Sequence, residues 1–261
     1  RCAHDGRLVN SNFTRNTAWR SGGAVYWYGI NDTISYCNFD SNDAVGNVTK
    51  HDRGIVIYDN IGGHGGAIIW AGTLGDADNS NFTNNTACRY GGAVYLQSNA
   101  EGNCTNTTFI HCNFEDNEAG INGGAIDWHE GAHDGSVIYC DFTSNKAGSN
   151  GGAIFWSGHD GEIHHSNFTN NIAKGILTDE HGNKGDGGAV IWSGINGTVT
   201  YCRFVNNTAD QRGGAVYLQN CTHDNCDNTT FEHSIFINNT AGLNGGAIDW
   251  HEGAHDGSVI Y

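Results

Sequence analysis

Residues 139–156 read Tyr-Cys-Asp-Phe-Thr-Ser-Asn-Lys-Ala-Gly-Ser-Asn-Gly-Gly-Ala-Ile-Phe-Trp, and this stretch decides the fold because it recurs along the chain. It joins a Phe-x-x-Asn-x-Ala segment to a Gly-Gly-Ala segment. Self-comparison finds eight such units. The first segments are Phe13/Asn16, Phe39/Asn42, Phe82/Asn85, Phe114/Asn117, Phe142/Asn145, Phe168/Asn171, Phe204/Asn207 and Phe236/Asn239, and the second begin at Gly22, Gly65, Gly91, Gly123, Gly151, Gly187, Gly213 and Gly245.

The spacing of these segments is typical of a solenoid. Phe precedes Gly-Gly by nine residues in six units, and Gly-Gly precedes the next Phe by 17 in four, so the basal coil has 26 residues. Longer spacings are insertions after Asn42, Leu96, Asn171 and Leu218, which a solenoid accepts without disturbing its stacked coils. Four coils form a super-repeat of 122 residues, because residues 122–139 recur letter for letter as 244–261.

Each coil carries apolar runs of strand length with a period of two, which places alternate residues on one face. Val or Ile follows every Gly-Gly-Ala segment, and Trp or Leu comes two residues later. The Phe positions and a nearby small Cys or Ser continue the same inward pattern. We therefore predict an all-β protein, a right-handed parallel β-helix of about eight coils that forms one domain over residues 1–261.

Three recurring residue types have structural interpretations in this fold. Stacked coils turn the eight Phe into one interior ladder. The Asn of Phe-x-x-Asn fits the inner corner of a turn, where it tolerates left-handed backbone and bonds the next coil. The paired Gly allow a sharp corner where a Cβ would clash. The ladders predict a fold that needs no cofactor.

Composition limits the partners of the chain. It has 261 residues and a formal net charge of −16, from 12 basic and 28 acidic side chains. Such a surface repels a polyphosphate backbone and an anionic bilayer, so we expect no nucleic-acid partner and no membrane insertion. No apolar run approaches the roughly 20 residues that span a bilayer. The chain begins inside a repeat without Met, so we expect a piece of a longer array.

Acceptor motifs for N-linked glycans point to an extracellular, cell-surface location. The pattern Asn-x-Ser/Thr is more frequent than the Asn and Thr content alone would give, which favours a secreted glycoprotein. The thirteen acceptors are Asn12, Asn31, Asn47, Asn81, Asn84, Asn103, Asn106, Asn167, Asn196, Asn206, Asn220, Asn228 and Asn238.

The nine Cys agree with an oxidising compartment only in part. Cys37, Cys112, Cys140 and Cys202 occupy a position that is Ser in other coils, so we expect buried thiols that fill space. Cys221 and Cys226 lie in one insertion and predict a loop disulfide, although spacing alone leaves other pairings open. Cys2, Cys88 and Cys104 receive no assignment.

At these motifs the chain resembles two groups of surface proteins. One is the polymorphic outer-membrane adhesins of Chlamydia, which carry repeated GGA[ILV] and FxxN. The other is the adhesin-like proteins of methanogenic archaea, which look closer in spacing and in Asn/Thr richness, as in residues 166–171 and 151–158. The resemblance covers nearly the whole chain. It implies a parallel β-helix and a surface role, since adhesion is attributed to both groups.

One turn, present in two copies, is a candidate metal site. Two imidazoles and three carboxylates come close in sequence, and they could bind Zn²⁺ through His or Ca²⁺ through carboxylates. The alternative is a solvated polar turn, since no spacing matches a strong ligand motif. The residues are Asp127, His129, Glu130, His133 and Asp134, and again Asp249, His251, Glu252, His255 and Asp256.

Two further sets of residues bear on function. Parallel β-helices also host pectate-lyase-like and glycoside-hydrolase-like enzymes that degrade polysaccharides, and an acidic solenoid offers many carboxylate pairs. The letter-perfect duplication argues against a unique active site, so we predict no enzyme activity. Outward aromatic residues at Tyr26, Tyr95, Phe155 and Tyr217 are interpreted as exposed strand positions, with sugar or protein binding as the alternative.

Together these observations predict a non-catalytic, adhesin-like or structural repeat protein. It would present a rigid glycosylated rod to a host or neighbouring cell, a glycan, a protein or copies of itself. A polysaccharide-degrading enzyme is the alternative.

Overall fold

A computed structural model describes residues 3–46, 48–50, 56–58, 62–97, 104–129, 131–176, 184–219, 227–251 and 254–261. In this part of the chain the protein is all-β, and its parallel strands stack in four sheets without any helix. The predicted parallel β-helix of about eight coils is confirmed. Crossover connections between parallel strands are right-handed in nearly all proteins. Within the described residues, the search for a helix able to cross a membrane found none.

We number the four sheets in the order in which a coil passes through them. Sheet 1 holds eight described strands after the Gly-Gly-Ala segments: Val25–Trp27, Ile68–Trp70, Val94–Leu96, Ile126–Trp128, Ile154–Trp156, Val190–Trp192, Val216–Leu218 and Ile248–Trp250. Sheet 2 holds nine described strands: Arg7–Val9, Thr33–Ser35, Asp76–Asp78, Thr108–Ile110, Ser136–Ile138, Glu162–His164, Thr198–Thr200, Thr230–Glu232 and Ser258–Ile260.

Sheet 3 carries the Phe ladder. Its eight described strands are Asn12–Thr14, Asn38–Asp40, Asn81–Thr83, Asn113–Glu115, Asp141–Thr143, Asn167–Thr169, Arg203–Val205 and Ile235–Ile237. Sheet 4 has eight described two-residue strands: Thr17–Ala18, Asp43–Ala44, Thr86–Ala87, Glu118–Ala119, Lys146–Ala147, Ile172–Ala173, Thr208–Ala209 and Thr240–Ala241. Two pairs stand apart, Ala3–His4 with Gly29–Ile30 in parallel and Val48–Lys50 with Val56–Tyr58 in antiparallel.

Aromatic ladders fill the interior, as the period-two pattern predicts. The eight Phe rings form one column with centroids 4.7 to 5.0 Å apart and planes within 6° of parallel. Six of the rings are fully buried, and Phe13 and Phe236 at the two ends are partly buried. In sheet 1, Trp128 stacks 4.1 Å from Trp156, which stacks 4.8 Å from Trp192. In the Phe column like side chains meet along the whole axis, and in sheet 1 the Trp rings stack wherever Leu does not intervene.

The interpretation of the recurrent Asn is confirmed for its hydrogen bonding to the next coil and is wrong for its backbone conformation. The amide nitrogen of Asn145 donates to Oδ1 of Asn171 and to the carbonyl of Phe114, at 3.0 and 2.9 Å. Its Oδ1 accepts from the backbone and side-chain nitrogens of Asn117. The left-handed backbone, however, belongs to the preceding residue, Ser144, with a φ of 58°. That residue points outward, which leaves the ladder Asn free to face the core.

The paired Gly have two separate roles at each corner. Gly65 has a φ of +61°, a conformation that a side chain would strain. A Cβ on Gly66 would overlap the carbonyl oxygen of Gly92 in the next coil. The first Gly thus supplies the bend, and the second allows the coils to approach.

The Cys that alternate with Ser are buried thiols, as predicted. The Sγ of Cys140 lies 3.4 and 3.3 Å from the carbonyl oxygens of Phe109 and Ile138, either of which can accept its one S–H hydrogen bond. Burial raises the pKa of Cys202 to about 12, which keeps it protonated. Burial likewise raises the pKa of Cys104 to about 11. The described Cys are all unbridged, whereas Cys2, Cys221 and Cys226 lie outside the described residues.

Candidate functional site

The outward face of sheet 1 is covered by a second layer of side chains, which the sequence did not predict. Tyr26 is 60% exposed, as expected, but Tyr95, Phe155 and Tyr217 are only 5%, 3% and 1% exposed. The prediction of exposed aromatic positions is therefore wrong for these three. Residues that precede and follow the strands fold over them and exclude water.

Specific contacts build this outer layer. The ring of Tyr95 stacks 4.8 Å from the imidazole of His64. The hydroxyl of Tyr217 accepts a 3.0 Å hydrogen bond from the Arg212 guanidinium. Phe155 packs with Tyr217 and Ile191 in a small apolar cluster. Sheet 1 is thus packed on both faces, and its outer surface is formed by the flanking columns.

The structure describes four of the five predicted metal ligands of the first copy. Asp127 is buried on the outward side of sheet 1, with its Oδ1 3.7 Å from Nδ1 of His129. His133 lies farther round the coil, where its Nδ1 accepts a 3.0 Å hydrogen bond from the backbone of His159. Asp134 is exposed in a left-handed turn. Glu130 lies outside the described residues.

The second copy is arranged in a similar way. Asp249 is partly buried, and the His251 ring lies 5.7 Å from that of Tyr217. The backbone nitrogen of His255 donates to Oδ1 of Asp227 at 3.0 Å, and Asp256 is exposed. Glu252 lies outside the described residues. Across the described part of the chain, no three His, Cys, Asp or Glu side chains gather as a metal site would require. Zn²⁺ or Ca²⁺ binding at these turns stays a prediction.

Every described glycan acceptor is exposed, and the acceptors fall in three columns. One column is the turn between sheets 1 and 2, one is the start of the sheet 3 strands, and one is the turn between sheets 3 and 4. None of these described acceptors lies in the outward column of sheet 1. The columns contain Asn31, Asn106, Asn196 and Asn228, then Asn12, Asn81 and Asn167, then Asn84, Asn206 and Asn238. Asn47, Asn103 and Asn220 lie outside the described residues.

A stripe of stacked aromatic side chains on the surface was missed by the sequence analysis. It occupies the turn between sheets 2 and 3, where each residue has left-handed backbone. Tyr and His alternate, with ring centroids 4.8 to 5.4 Å apart. The members of this Tyr/His stripe are His111, Tyr139, His165, Tyr201 and His233. Their position directly before each inward Cys or Ser is the signal that could have identified them.

The Tyr/His stripe presents ring edges to solvent. Tyr139 and Tyr201 are about half exposed, at 51% and 54%. Because the ring faces cover one another, the accessible atoms are phenol hydroxyls and imidazole nitrogens. Such a row suits repeated hydrogen bonding, and the ring faces between neighbouring members are covered.

A cavity of about 460 Å³ opens on the outward face of sheet 1 near its first strands. Its volume lies within the roughly 300–1,000 Å³ of small-molecule sites. Apolar and polar side chains share its wall, and they come from three successive coils. The lining residues are Arg20, Ser21, Tyr26, Gly62, His64, Ile69 and Gln97.

The imidazole of His64 in the wall of this cavity has a pKa far from its ordinary value. Its imidazole is stacked 5.0 Å from the ring of Tyr90, in addition to its contact with Tyr95. Burial, followed by the nearby charges of Arg89, His129 and Arg20, lowers the pKa of His64 to about 3. The imidazole is therefore neutral at physiological pH, and the positive charge at the cavity belongs to the arginines.

Comparison with known proteins agrees with the repeat. The family model described as the Chlamydia polymorphic membrane protein repeat matches residues 79–97, 139–155, 201–219 and 233–249. Each match spans a Phe-x-x-Asn segment and the following Gly-Gly-Ala segment. Four segments of the chain are therefore similar to the polymorphic membrane protein repeat. No curated protein sequence matches the chain.

Among solved structures, the chain is similar to a tailspike protein of E. coli bacteriophage HK620, a mutant in complex with a pentasaccharide. The two are 12% identical with a TM-score of 0.42. The alignment covers 98% of this chain and 49% of the tailspike, so the chain spans about half the length of that protein.

Proposed function

We propose that the protein is a non-catalytic, adhesin-like surface rod that binds cells, glycans or copies of itself. The observation that carries the proposal is the distribution of glycan acceptors. Ten described acceptors are exposed at the turn between sheets 1 and 2, at the start of the sheet 3 strands and at the turn between sheets 3 and 4, and no described acceptor lies in the outward column of sheet 1. A rod glycosylated at these described positions would carry three rows of glycans and would have none in the outward column of sheet 1.

Two further features support surface display. The matching repeat family is named for membrane proteins of Chlamydia, which favours an extracellular, surface-exposed location for this chain as well. The resemblance to adhesin-like proteins of methanogenic archaea leads to the same expectation. The net charge of −16 keeps such rods soluble and separated.

The repeated surface chemistry suits many weak contacts. The Tyr/His stripe offers a hydrogen-bonding edge in five successive coils at intervals of about 5 Å. Linked weak sites gain avidity because later contacts form at high effective concentration. An adhesin benefits from this arrangement, whereas catalysis at a single site does not.

The proposal is tested with beads that carry the glycosylated chain. Glycopeptide mass spectrometry should find glycans on the three acceptor columns. Beads should adhere to a subset of a cell panel or to one another, and beads with an unrelated acidic protein of equal charge should not. Turnover of a polysaccharide that is abolished by one carboxylate substitution would establish the enzyme alternative instead. Absence of both cell adhesion and bead aggregation would also contradict the proposal.

A further inference from the structure

We propose that the cavity beside Arg20 binds a saccharide that carries a carboxylate group. This inference rests on the proposed adhesin function and names a ligand class for the outward face of sheet 1. Uronic acids and sialic acids share the required chemistry, a sugar ring with hydroxyls and one carboxylate.

The walls of the cavity supply the contacts that such a sugar needs. The Tyr26 ring is largely exposed and offers an apolar face, with buried Ile69 beside it. The Gln97 amide and the Ser21 hydroxyl can exchange hydrogen bonds with sugar hydroxyls. Trp19, directly before Arg20 in the sequence, is 81% exposed. A few convergent polar groups on an apolar wall are typical of a ligand site.

Arg20 supplies the selectivity for an acidic sugar. A guanidinium presents a planar fork of N–H donors that fits a carboxylate in bidentate fashion. The chain has only 12 basic residues against 28 acidic ones, so a cavity with an arginine is locally unlike the rest of the surface. Arg89 adds to the local positive charge, since both arginines act on the neighbouring His64. In such a field an anionic ligand is favoured over a neutral one.

The cavity wall also contains a polar atom that the described residues leave unsatisfied. Nδ1 of His64 is buried and has no hydrogen-bond partner among the described residues. Gly62 packs so closely on Arg20 that an added Cβ would overlap the arginine backbone and its Cγ. The absence of a side chain at Gly62 therefore allows Arg20 to lie against this wall.

The second super-repeat shows that this site is a local specialisation. Most of the coil chemistry is duplicated, and Ile69 and Gln97 recur as Ile191 and Gln219. The residues that define the cavity change together: Arg20, Tyr26 and His64 correspond to Ser149, Phe155 and Asp186.

In the second block the equivalent place is closed. Phe155 and Asp186 are both buried. The backbone nitrogen of Asp186 donates to Oδ1 of Asn150 at 3.1 Å, and its Oδ1 accepts from the backbone of Arg212 at 3.1 Å. The second block thus has the hydroxyl of Ser149 in place of the Arg20 guanidinium. It has the hydrogen-bonded carboxylate of Asp186 in place of the neutral His64 imidazole. Duplicated coils diverge here in the groups that would hold an anion, which is the pattern of a binding site.

The test uses the full chain in solution, with titration calorimetry against trigalacturonate and sialyllactose as acidic probes. Neutral galactotriose and lactose are their matched controls. We expect one site per chain for at least one acidic probe, and at least tenfold weaker binding of its neutral counterpart. Arg20→Ser, which installs the second block's residue, should weaken binding at least tenfold. Arg203→Ser removes the same charge from an exposed position on sheet 3 and should change affinity less than twofold.

Thermal melting checks that both variants fold like the parent chain. Should Arg20→Ser unfold, Tyr26→Ala takes its place in the binding test. Failure of both acidic probes to bind, or equal binding by Arg20→Ser, would overturn the inference. Retention of bead adhesion in that case would show that the adhesin function stands without this site. Absence of both cell adhesion and bead aggregation for the parent chain would instead contradict the proposed function.

Discussion

Each ladder Asn satisfies buried polar groups that have no water to bond. In one coil, Asn145 receives two hydrogen bonds from Asn117 and gives one each to Phe114 and Asn171. A buried donor or acceptor left without a partner costs about 1–3 kcal/mol. Asp would not replace it, because a carboxylate cannot donate to the carbonyl of Phe114. The hydrogen bonds of the side-chain amide therefore require Asn at this position, whereas the Phe position beside it requires only a side chain of matching shape.

The Phe ladder leads to a prediction about stability. Phe142→Ala should lower the free energy of unfolding by about 3–5 kcal/mol, because a cavity opens in a column stacked at 4.8 Å on both sides. Tyr139→Ala is the matched control, since Tyr139 lies in the same coil but is half exposed in the Tyr/His stripe. It should cost less than about 1.5 kcal/mol. Equal losses in denaturant titrations would contradict the inside and outside assignment.

His64 leads to a prediction about pH. Its pKa is about 3 in the folded chain, against an ordinary value of 6.5. Between these values the His64 side chain binds one proton more in the unfolded chain than in the folded one, so the contribution of His64 to stability falls as the pH drops from 6.5 towards 3. His64→Phe keeps a stacked aromatic ring and removes the titrating imidazole, and with it this loss of stability at falling pH. The slope of unfolding free energy against pH should flatten by at most about 1.4 kcal/mol per pH unit.

The pH prediction has a direct check and an internal control. At pH 8 the imidazole is neutral in both states, so titration of His64 contributes no difference between the two chains there. NMR of the ring carbons should show no titration of His64 near pH 6.5. A midpoint near 6.5 would contradict the buried, neutral assignment.

At the scale of strands, the sequence predicted what faces inward but not what covers the outside. Period two places Trp128 inside and Asp127 outside, and both placements are confirmed. Outward-facing residues were expected to be exposed to solvent, and this expectation is wrong for Tyr95, Phe155 and Tyr217. Their cover comes from residues such as His64 and Arg212, which precede the Gly-Gly corners. Strand periodicity carries no information about side chains that fold over a sheet from its flanks.

The Tyr/His stripe and the metal turn show the same limit. The stripe depends on left-handed residues from five coils that become neighbours only after stacking. Conversely, His129 and His133 are close in sequence, but the turn between them sends His133 to a hydrogen bond with His159. The contacts of the stripe follow the register between coils rather than proximity along the chain, and metal binding at the turn stays a prediction.

The outer layer on sheet 1 leads to a prediction for that element. Tyr217→Ala should destabilise the protein by about 3 kcal/mol, because it removes a buried ring and leaves the Arg212 guanidinium without its phenol partner. Tyr217→Phe keeps the ring and should cost about 1 kcal/mol. A loss for Tyr217→Ala as small as that of Tyr139→Ala would show that the second layer does not form. Denaturant titration of the three variants side by side provides the measurement.

At the scale of the whole molecule, stability is distributed along one dimension. Among the described residues, backbone hydrogen bonds join each coil to its neighbours: the backbone nitrogen of Asp141 donates to the carbonyl of Cys112 in one coil, and that of Asn167 to the carbonyl of Cys140 in the next. A central coil is held by two such interfaces and a terminal coil by one. In a linear array, stability is roughly the sum of coil and interface contributions. The ends of this chain should therefore open more easily than its middle.

Hydrogen exchange followed by mass spectrometry tests this expectation. Protection should be greatest in the coils of Phe114, Phe142 and Phe168, and least in those of Phe13 and Phe236, whose rings are already partly exposed. Opening an end coil breaks one interface, whereas exposing a central amide requires two interfaces to break or the array to open from an end. Phe142→Ala should then accelerate exchange most strongly in the central coils and leave the terminal coils almost unchanged. Uniform protection along the chain, lowered everywhere by Phe142→Ala, would show that the rod unfolds as a single cooperative unit instead.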